Sequence, residues 1–250
     1  MEVSEMPKPK MLKDLDLSRE GLASMIDFSV LNSDASRADI DRGIELTLKY
    51  GFKGFHVNTF WAPYVAERIG PAGLETGYPV AFPFGAVSTE VKVAEAKEGA
   101  RLLKGKPWVI DMVANHGMLK SGEYEYYKKD IAEVVKVAHD GGAECKVIIE
   151  AQLLTDDQIK AAVELSAEAG ADWVKSSTGR HGGPSLKQVK IMCDTAPEHV
   201  KVKVAGTGSF WTPTVVLGCL LLGVERIGTR NGPDIVEGLQ VLKPMPLNQL

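Results

Sequence analysis

Short apolar runs recur along the chain, and between them the apolar residues return at helical spacing. The runs read as buried strands and the intervening stretches as amphipathic helices. Strands are expected near 24–29, 54–58, 78–82, 108–113, 145–150, 173–176, 200–205 and 226–228. Helices are expected over 37–50, 62–69, 90–103, 124–140, 156–169, 185–195, 214–222 and 233–241. Ser36 and Thr155 stand where helix N-caps belong, with Asp39 and Gln158 three residues on as capping-box partners. Gly51, Gly105, Gly142, Gly170 and Gly223 follow helical runs as stops. Strand and helix in alternation build a parallel α/β fold, and eight of each are what a single (β/α)8 TIM barrel requires. An open doubly wound sheet is the alternative, but no Gly-x-Gly-x-x-Gly follows the first strand to form a dinucleotide site.

Composition narrows the field without choosing a function. A 44% hydrophobic fraction fills a full core, and 250 residues suit one barrel better than two small domains. A formal net charge of -4 argues against a dedicated nucleic-acid binder. Cys145, Cys193 and Cys219 fall inside expected elements without metal-ligand spacing, and read as buried thiols in a reducing cytosol. No window reaches the roughly 18 apolar residues of a membrane span, and the opening residues have no apolar signal core. A cytoplasmic protein with no membrane or nucleic-acid partner is expected. Residues 1–20, carrying Pro7, Lys8, Pro9 and Lys10, are expected to form an N-terminal arm with at most a short helix, and 21–250 the barrel.

In such a barrel, side chains at the C-terminal ends of the strands converge on one mouth. Lys175, in Ala171-Asp-Trp-Val-Lys-Ser-Ser-Thr-Gly179, and Lys203, in Val202-Lys-Val-Ala-Gly206, both stand where an apolar run gives way to small residues. A buried ammonium is costly unless it is paired or loses its proton, and two on consecutive strands also repel. That combination favours a neutral, nucleophilic amine on one of them, which is what Schiff-base formation needs. Asp27, His56, Asn58, Asp111, Lys146 and Glu150 complete the strand-end set. Alternation puts Lys146, Ile148 and Glu150 on one face of the fifth strand, so both charges point in or both point out. Asp111 is either a structural ion-pair partner or a proton shuttle beside the Schiff base. Lys203 shares a face with Lys201, so one of the two could be a surface charge. His56 and His116 either line the mouth or are satisfied structural histidines. No His-x-x-x-His spacing occurs, so no metal is expected.

Glycine-bearing loops follow the last three strands: Ser176-Ser-Thr-Gly-Arg-His-Gly-Gly183, Ala205-Gly-Thr-Gly-Ser209 and Gly228-Thr-Arg-Asn-Gly232. Backbone N–H groups of such loops commonly hold phosphate in a barrel. Gly179, Gly206, Gly208, Ser209, Gly228, Arg230 and Asn231, with His56 beside them, are the candidate substrate-binding residues.

From about Met25 to Gly232 the chain resembles the deoxyribose-phosphate aldolases. The likeness rests on Phe82-Pro-Phe-Gly-Ala-Val-Ser-Thr-Glu-Val-Lys-Val-Ala-Glu-Ala-Lys97, Asp111-Met-Val-Ala-Asn-His-Gly-Met-Leu-Lys-Ser-Gly122, Cys145-Lys-Val-Ile-Ile-Glu150 and Lys175-Ser-Ser-Thr-Gly179. The resemblance implies a (β/α)8 class I aldolase without metal or organic cofactor. It makes Lys175 the Schiff-base lysine, Lys203 the lysine that perturbs it, Asp111 the proton-relaying carboxylate, Lys146 the lysine near it, and Asp27 a member of the same network. The implied reaction is reversible cleavage of 2-deoxyribose 5-phosphate to acetaldehyde and glyceraldehyde 3-phosphate, so the partners are an aldehyde and a sugar phosphate, in a homo-oligomer expected to be a dimer. The departures cluster at the presumed phosphate end, where Gly206-Thr-Gly-Ser-Phe-Trp-Thr212 and Gly228-Thr-Arg-Asn-Gly232 replace the family's usual runs. His56 also stands where cysteine is common. Arg230 could bind a phosphate or select a carboxylate, and Phe210 and Trp211 could narrow the mouth. The alternatives are the same lysine chemistry on another acceptor, non-phosphorylated or carboxylated, and a sugar-phosphate-binding barrel without turnover.

Overall fold

The computed structural model of the chain describes residues 11–207 and 211–241. Their order is α1 (Arg19–Ser24), β1 (Ile26–Val30), α2 (Arg37–Tyr50), β2 (Gly54–Val57), α3 (Ala62–Ile69), β3 (Glu75–Val80), α4 (Thr89–Leu102), β4 (Trp108–Val113), α5 (His116–Lys120) and α6 (Tyr124–Asp140). The second half continues with β5 (Glu144–Ile148), α7 (Asp156–Glu168), β6 (Trp173–Lys175), α8 (Leu186–Thr195), β7 (Lys201–Ala205), α9 (Pro213–Leu221), β8 (Arg226–Thr229) and α10 (Gly232–Val241). The strands are parallel and close in sequence order, with β1 pairing to both β2 and β8. That last pairing excludes the open sheet, and the fold is the expected (β/α)8 barrel.

Each strand presents two chemically different faces. Phe28, Phe55, Val57, Tyr78, Ile110, Met112, Val147, Val174, Val202, Val204 and Ile227 point outward, into a continuous apolar layer shared with the helices. The alternate positions point into the barrel, where branched apolar side chains usually fill the layers. Here that interior carries Asp27, His56, Asp111, Lys146, Lys175, Lys203 and Arg226, all buried. Parallel register sets charges side by side: Asp111 beside Lys146, Lys175 beside Lys203, and Lys203 beside Arg226.

Local signals account for the helix ends. Ser36 and Thr155 form full capping boxes with Asp39 and Gln158, as expected, and Ser185 forms another with Gln188. Helix α4 also anchors two strand ends. Buried Lys92 donates to Val113 O at 3.0 Å and to Asp130 of α6 at 2.5 Å, and Glu95 accepts from Ala81 N at 2.6 Å. Ala81 sits at φ +54°, just beyond β3, so that carboxylate secures a left-handed turn.

Three expectations need adjustment. Strand β3 starts at Glu75 rather than Tyr78, because Gly77 and Pro79, residues that weaken a strand assignment in sequence, are both accommodated within it. Strand β5 ends at Ile148, and Glu150 turns away at φ +47° instead of sharing the inward face of Lys146. Helix α5, capped by the Asn115 side chain, occupies residues for which no element was expected. Of the expected arm, residues 1–10 lie outside the described residues. From Leu15 the chain packs on the barrel, with Leu22 and Ala23 of α1 buried and Arg19 bonded to Glu237 of α10 at 2.7 Å.

Candidate active site

Two carboxylates organise the barrel interior. Asp27 accepts from Lys146 at 2.7 Å and Lys203 at 2.6 Å through Oδ2, and from Arg226 Nη1 at 2.9 Å through Oδ1. Asp111 Oδ2 accepts from Lys175 at 2.6 Å and Lys203 at 3.1 Å. Lys203 therefore joins the two carboxylates. The His56 ring does so too, with Nε2 3.1 Å from Asp27 Oδ2 and Nδ1 3.3 Å from Asp111 Oδ2. The ring has room because β3 has a glycine alongside it: a Cβ on Gly77 would lie 1.9 Å from His56 Nδ1. Asp111 Oδ1 is buried with no hydrogen-bond partner among the described residues. Below this level Trp173 stacks under the cations, its ring 5.3 Å from Lys146 Nζ and 5.0 Å from the Arg226 guanidinium.

The charge balance determines which amine is free to react. Burial pushes Lys175 down to about 8; Lys203 and Lys146 push the same way, against Asp111, which favours the ammonium. Burial acts on Lys203 as well, but Asp111 and Asp27 outweigh it and hold this lysine above its ordinary value. Lys146 is lowered, again first by burial and against the attraction of Asp27. For the carboxylates burial works upward, yet the surrounding cations overcome it and keep Asp27 and Asp111 well below the usual range. Access separates Lys175 from Lys146. A cavity of about 50 Å3 at the strand ends is lined by Asp27, Ser29, His56, Lys175, Lys203 and Gly228, among others, but not by Lys146. The amine that is both depressed and reachable is Lys175.

The cavity shares Leu31, Thr178, Thr207 and Arg230 with a wider one of about 370 Å3, which also takes in Asn32, Phe82, Gly179 and Arg180. Side chains lace its rim together. Glu150 accepts from Thr178 Oγ1 at 2.5 Å, Ser176 Oγ donates to Ala205 O at 3.1 Å, and Thr207 Oγ1 donates to Gly179 O at 2.6 Å. Gly179 sits at φ +87°, and a Cβ there would lie 2.7 Å from Thr207 Cγ2. Arg230 reaches across the mouth to Asn32 Oδ1 at 2.9 Å.

The structure thus brings Lys175, Lys203, Asp111, Lys146, Asp27 and His56 into one network. Gly179, Gly206, Gly228 and Arg230 lie around the mouth above it. Asn231 lines a neighbouring hollow with Thr229 and Trp211. Gly208, Ser209 and Phe210 lie outside the described residues. Trp211 is buried in the apolar core. His116, pushed down to about 4 by burial and by Lys92, does not line either mouth cavity. Arg226, Glu75 (whose Oε2 lies 3.7 Å from Arg226 Nη1), Trp173, Thr178 and Asn32 were not anticipated. Arg226 had a legible signal, an arginine within an apolar strand; Glu75 had none, being hidden before Gly77 and Pro79. Among the described residues no group of His, Cys, Asp or Glu is placed to hold a metal ion, and no helix is long and apolar enough to cross a membrane.

No family model matches the chain. Individual relatives do. The deoxyribose-phosphate aldolase of Thermococcus kodakarensis is 40% identical over 225 residues, covering 89% of this chain and 98% of that protein. Deoxyribose-phosphate aldolase 2 of Oceanobacillus iheyensis is 34% identical over 223 residues, covering 89% and 97%. The solved deoxyribose phosphate aldolase of Aeropyrum pernix, described as a tetramer, superposes with a TM-score of 0.81 at 28% identity, covering 92% of this chain and 95% of that one. With near-full-length identity of this order to curated relatives, and a closed barrel that matches theirs, the chain belongs to the deoxyribose-phosphate aldolase family.

Proposed function

We propose that the chain is a class I, Schiff-base aldolase that reversibly cleaves 2-deoxyribose 5-phosphate to acetaldehyde and glyceraldehyde 3-phosphate, a carbon–carbon lyase whose catalytic domain is 21–250. The observation that carries this is Lys175, a buried amine depressed to about 8 at the floor of an open cavity. At neutral pH a useful fraction of it is unprotonated and nucleophilic. Lys175 attacks the substrate carbonyl, and loss of water gives an iminium. As the neighbouring C–C bond breaks, its electron pair enters the iminium to form an enamine, and the adjacent hydroxyl becomes the carbonyl of the departing aldehyde. Asp111, whose Oδ1 has no hydrogen-bond partner among the described residues, accepts the hydroxyl proton by way of water. Lys203 stays charged between the two carboxylates and keeps Lys175 from doing the same. Asp27, with Lys146, holds Lys203 in place.

Arg180 and Arg230 in the wider cavity give the mouth an anion-binding character. This suits a phosphate. The same pair would also take a carboxylate, which is the second reading: identical lysine chemistry on a carboxylated acceptor. We take the working form to be a homo-oligomer, with the dimer as the form to test by light scattering.

Borohydride trapping with 2-deoxyribose 5-phosphate, followed by peptide mass spectrometry, tests the proposal. An adduct on Lys175 is expected, and Lys175→Ala should abolish both adduct and turnover while leaving the circular dichroism unchanged. An adduct with acetaldehyde but not with the sugar phosphate would favour the second reading. No adduct with either would leave a binding barrel without chemistry.

A further inference from the structure

The Schiff-base reading leaves one difficulty in proton transfer. Asp111 has to accept a proton in each cleavage cycle, yet it is bonded to two lysine amines that keep it ionised far below neutral pH. A carboxylate so placed is a weak base, and holds a proton too poorly to store one between steps. His56 is the group in contact with Asp111 that can store it. It lines the mouth cavity, is 3% exposed, and puts one ring nitrogen toward each carboxylate. A neutral imidazole donates through one nitrogen and accepts through the other, so it can satisfy one carboxylate at most; an imidazolium donates to both.

Resting on the Schiff-base reading, we propose that His56 is a proton-holding positioning residue that acts through Asp111. In cleavage the hydroxyl proton reaches Asp111 and crosses the 3.3 Å gap to His56 Nδ1, forming an imidazolium that donates to Asp27 and Asp111 together. Asp111 is thereby restored as a carboxylate while the enamine persists. When the enamine carbon is protonated the proton returns along the same path, and water then hydrolyses the iminium to free Lys175. One proton leaves an oxygen and one arrives at carbon, so the ring ends as it began. The groups facing it from the other strands are Asp27 on β1, Asp111 on β4 and Lys203 on β7, whose Nζ lies 3.5 Å from Nε2. Lys146, Lys175 and Arg226 stand one contact further away, through the same carboxylates.

His56→Asn tests this, because the amide keeps an N–H for Asp111 but cannot take up a proton. Expected is a fall in kcat on the order of 10²-fold with KM little changed, a larger solvent deuterium isotope effect, and undiminished borohydride trapping at Lys175. A variant that traps normally and turns over within about threefold of the parent overturns the relay while leaving the aldolase reading intact. Failure of the parent to trap at all overturns the aldolase reading instead. Should His56→Asn fail to fold, the native enzyme supplies the answer through the ¹⁵N shifts of its imidazoles. A His56 ring that becomes imidazolium when the enamine accumulates supports the relay, and one fixed as a single neutral tautomer throughout refutes it.

Discussion

At the scale of single residues, the site turns on the difference between two lysines that neighbour each other in register. Lys203 has two carboxylates and keeps its proton; Lys175 has one, shared, and loses its proton readily. Because an amine attacks only when neutral, trapping at Lys175 should rise with pH through about 8 and level off above it. Lys203→Leu removes a repelling charge and leaves Lys175 as the one lysine bonded to Asp111, so the midpoint of that curve should move upward; a stationary midpoint would show the two amines to be uncoupled. This pairing was legible in sequence, because two lysines closing apolar strands before glycine loops have few bland explanations. Arg226 was less obvious, although it completes the shell of Asp27, since its role depends on a contact between the first and last strands. Glu150 misled for a related reason: alternation extrapolates a strand, and nothing local marks where Ile148 ends it.

The elements around the barrel do more than shield its outer face. Helix α4 reaches inward with Lys92 and Glu95 to hold the end of β4, the strand that carries Asp111, and of β3, whose loop lends Phe82 to the mouth. Breaking a buried ion pair by removing one partner costs roughly 3–5 kcal/mol, because the other charge is stranded. Lys92→Met should lower the unfolding free energy by about that amount. Combining it with Asp130→Leu should recover much of the loss, giving a large coupling term in a double-mutant cycle of denaturant melts. Additive effects would show that α4 is held by its apolar face alone. The helix itself was foreseeable from its periodicity. Its clamp was not, because a helical lysine is ordinarily read as solvated, and only the fold reveals that this one is 0% exposed.

For the molecule as a whole, the interior electrostatics set its tolerance of acid. Asp27 and Asp111 are depressed in the folded state, so unfolded chains bind more protons than folded ones once pH falls below the ordinary aspartate range near 4. Their stabilisation is complete above that range and is lost progressively as pH descends toward the folded values. The denaturant midpoint should therefore drop steeply below about pH 4, and Asp27→Asn should weaken both the stability at neutral pH and this acid limb. An acid limb unchanged in Asp27→Asn would place the sensitivity elsewhere. The barrel architecture was readable from the alternation of elements, whereas the oppositely charged shells around the two aspartates become visible only on closure.

The distribution of those charges along the chain has a consequence for how the protein is assembled. Both organising carboxylates come from the first four strands, on β1 and β4, while the four cations that surround them come one each from β5, β6, β7 and β8. The interior of the barrel is thus divided, with the two carboxylates on the first four strands and the cations that neutralise them on the last four. Closing the barrel therefore brings opposite charges together as well as apolar faces. The reactive amine is created by that same event. Until the strands close, Lys175 lacks the burial that loosens its proton, so chemical competence and completion of the fold arrive together.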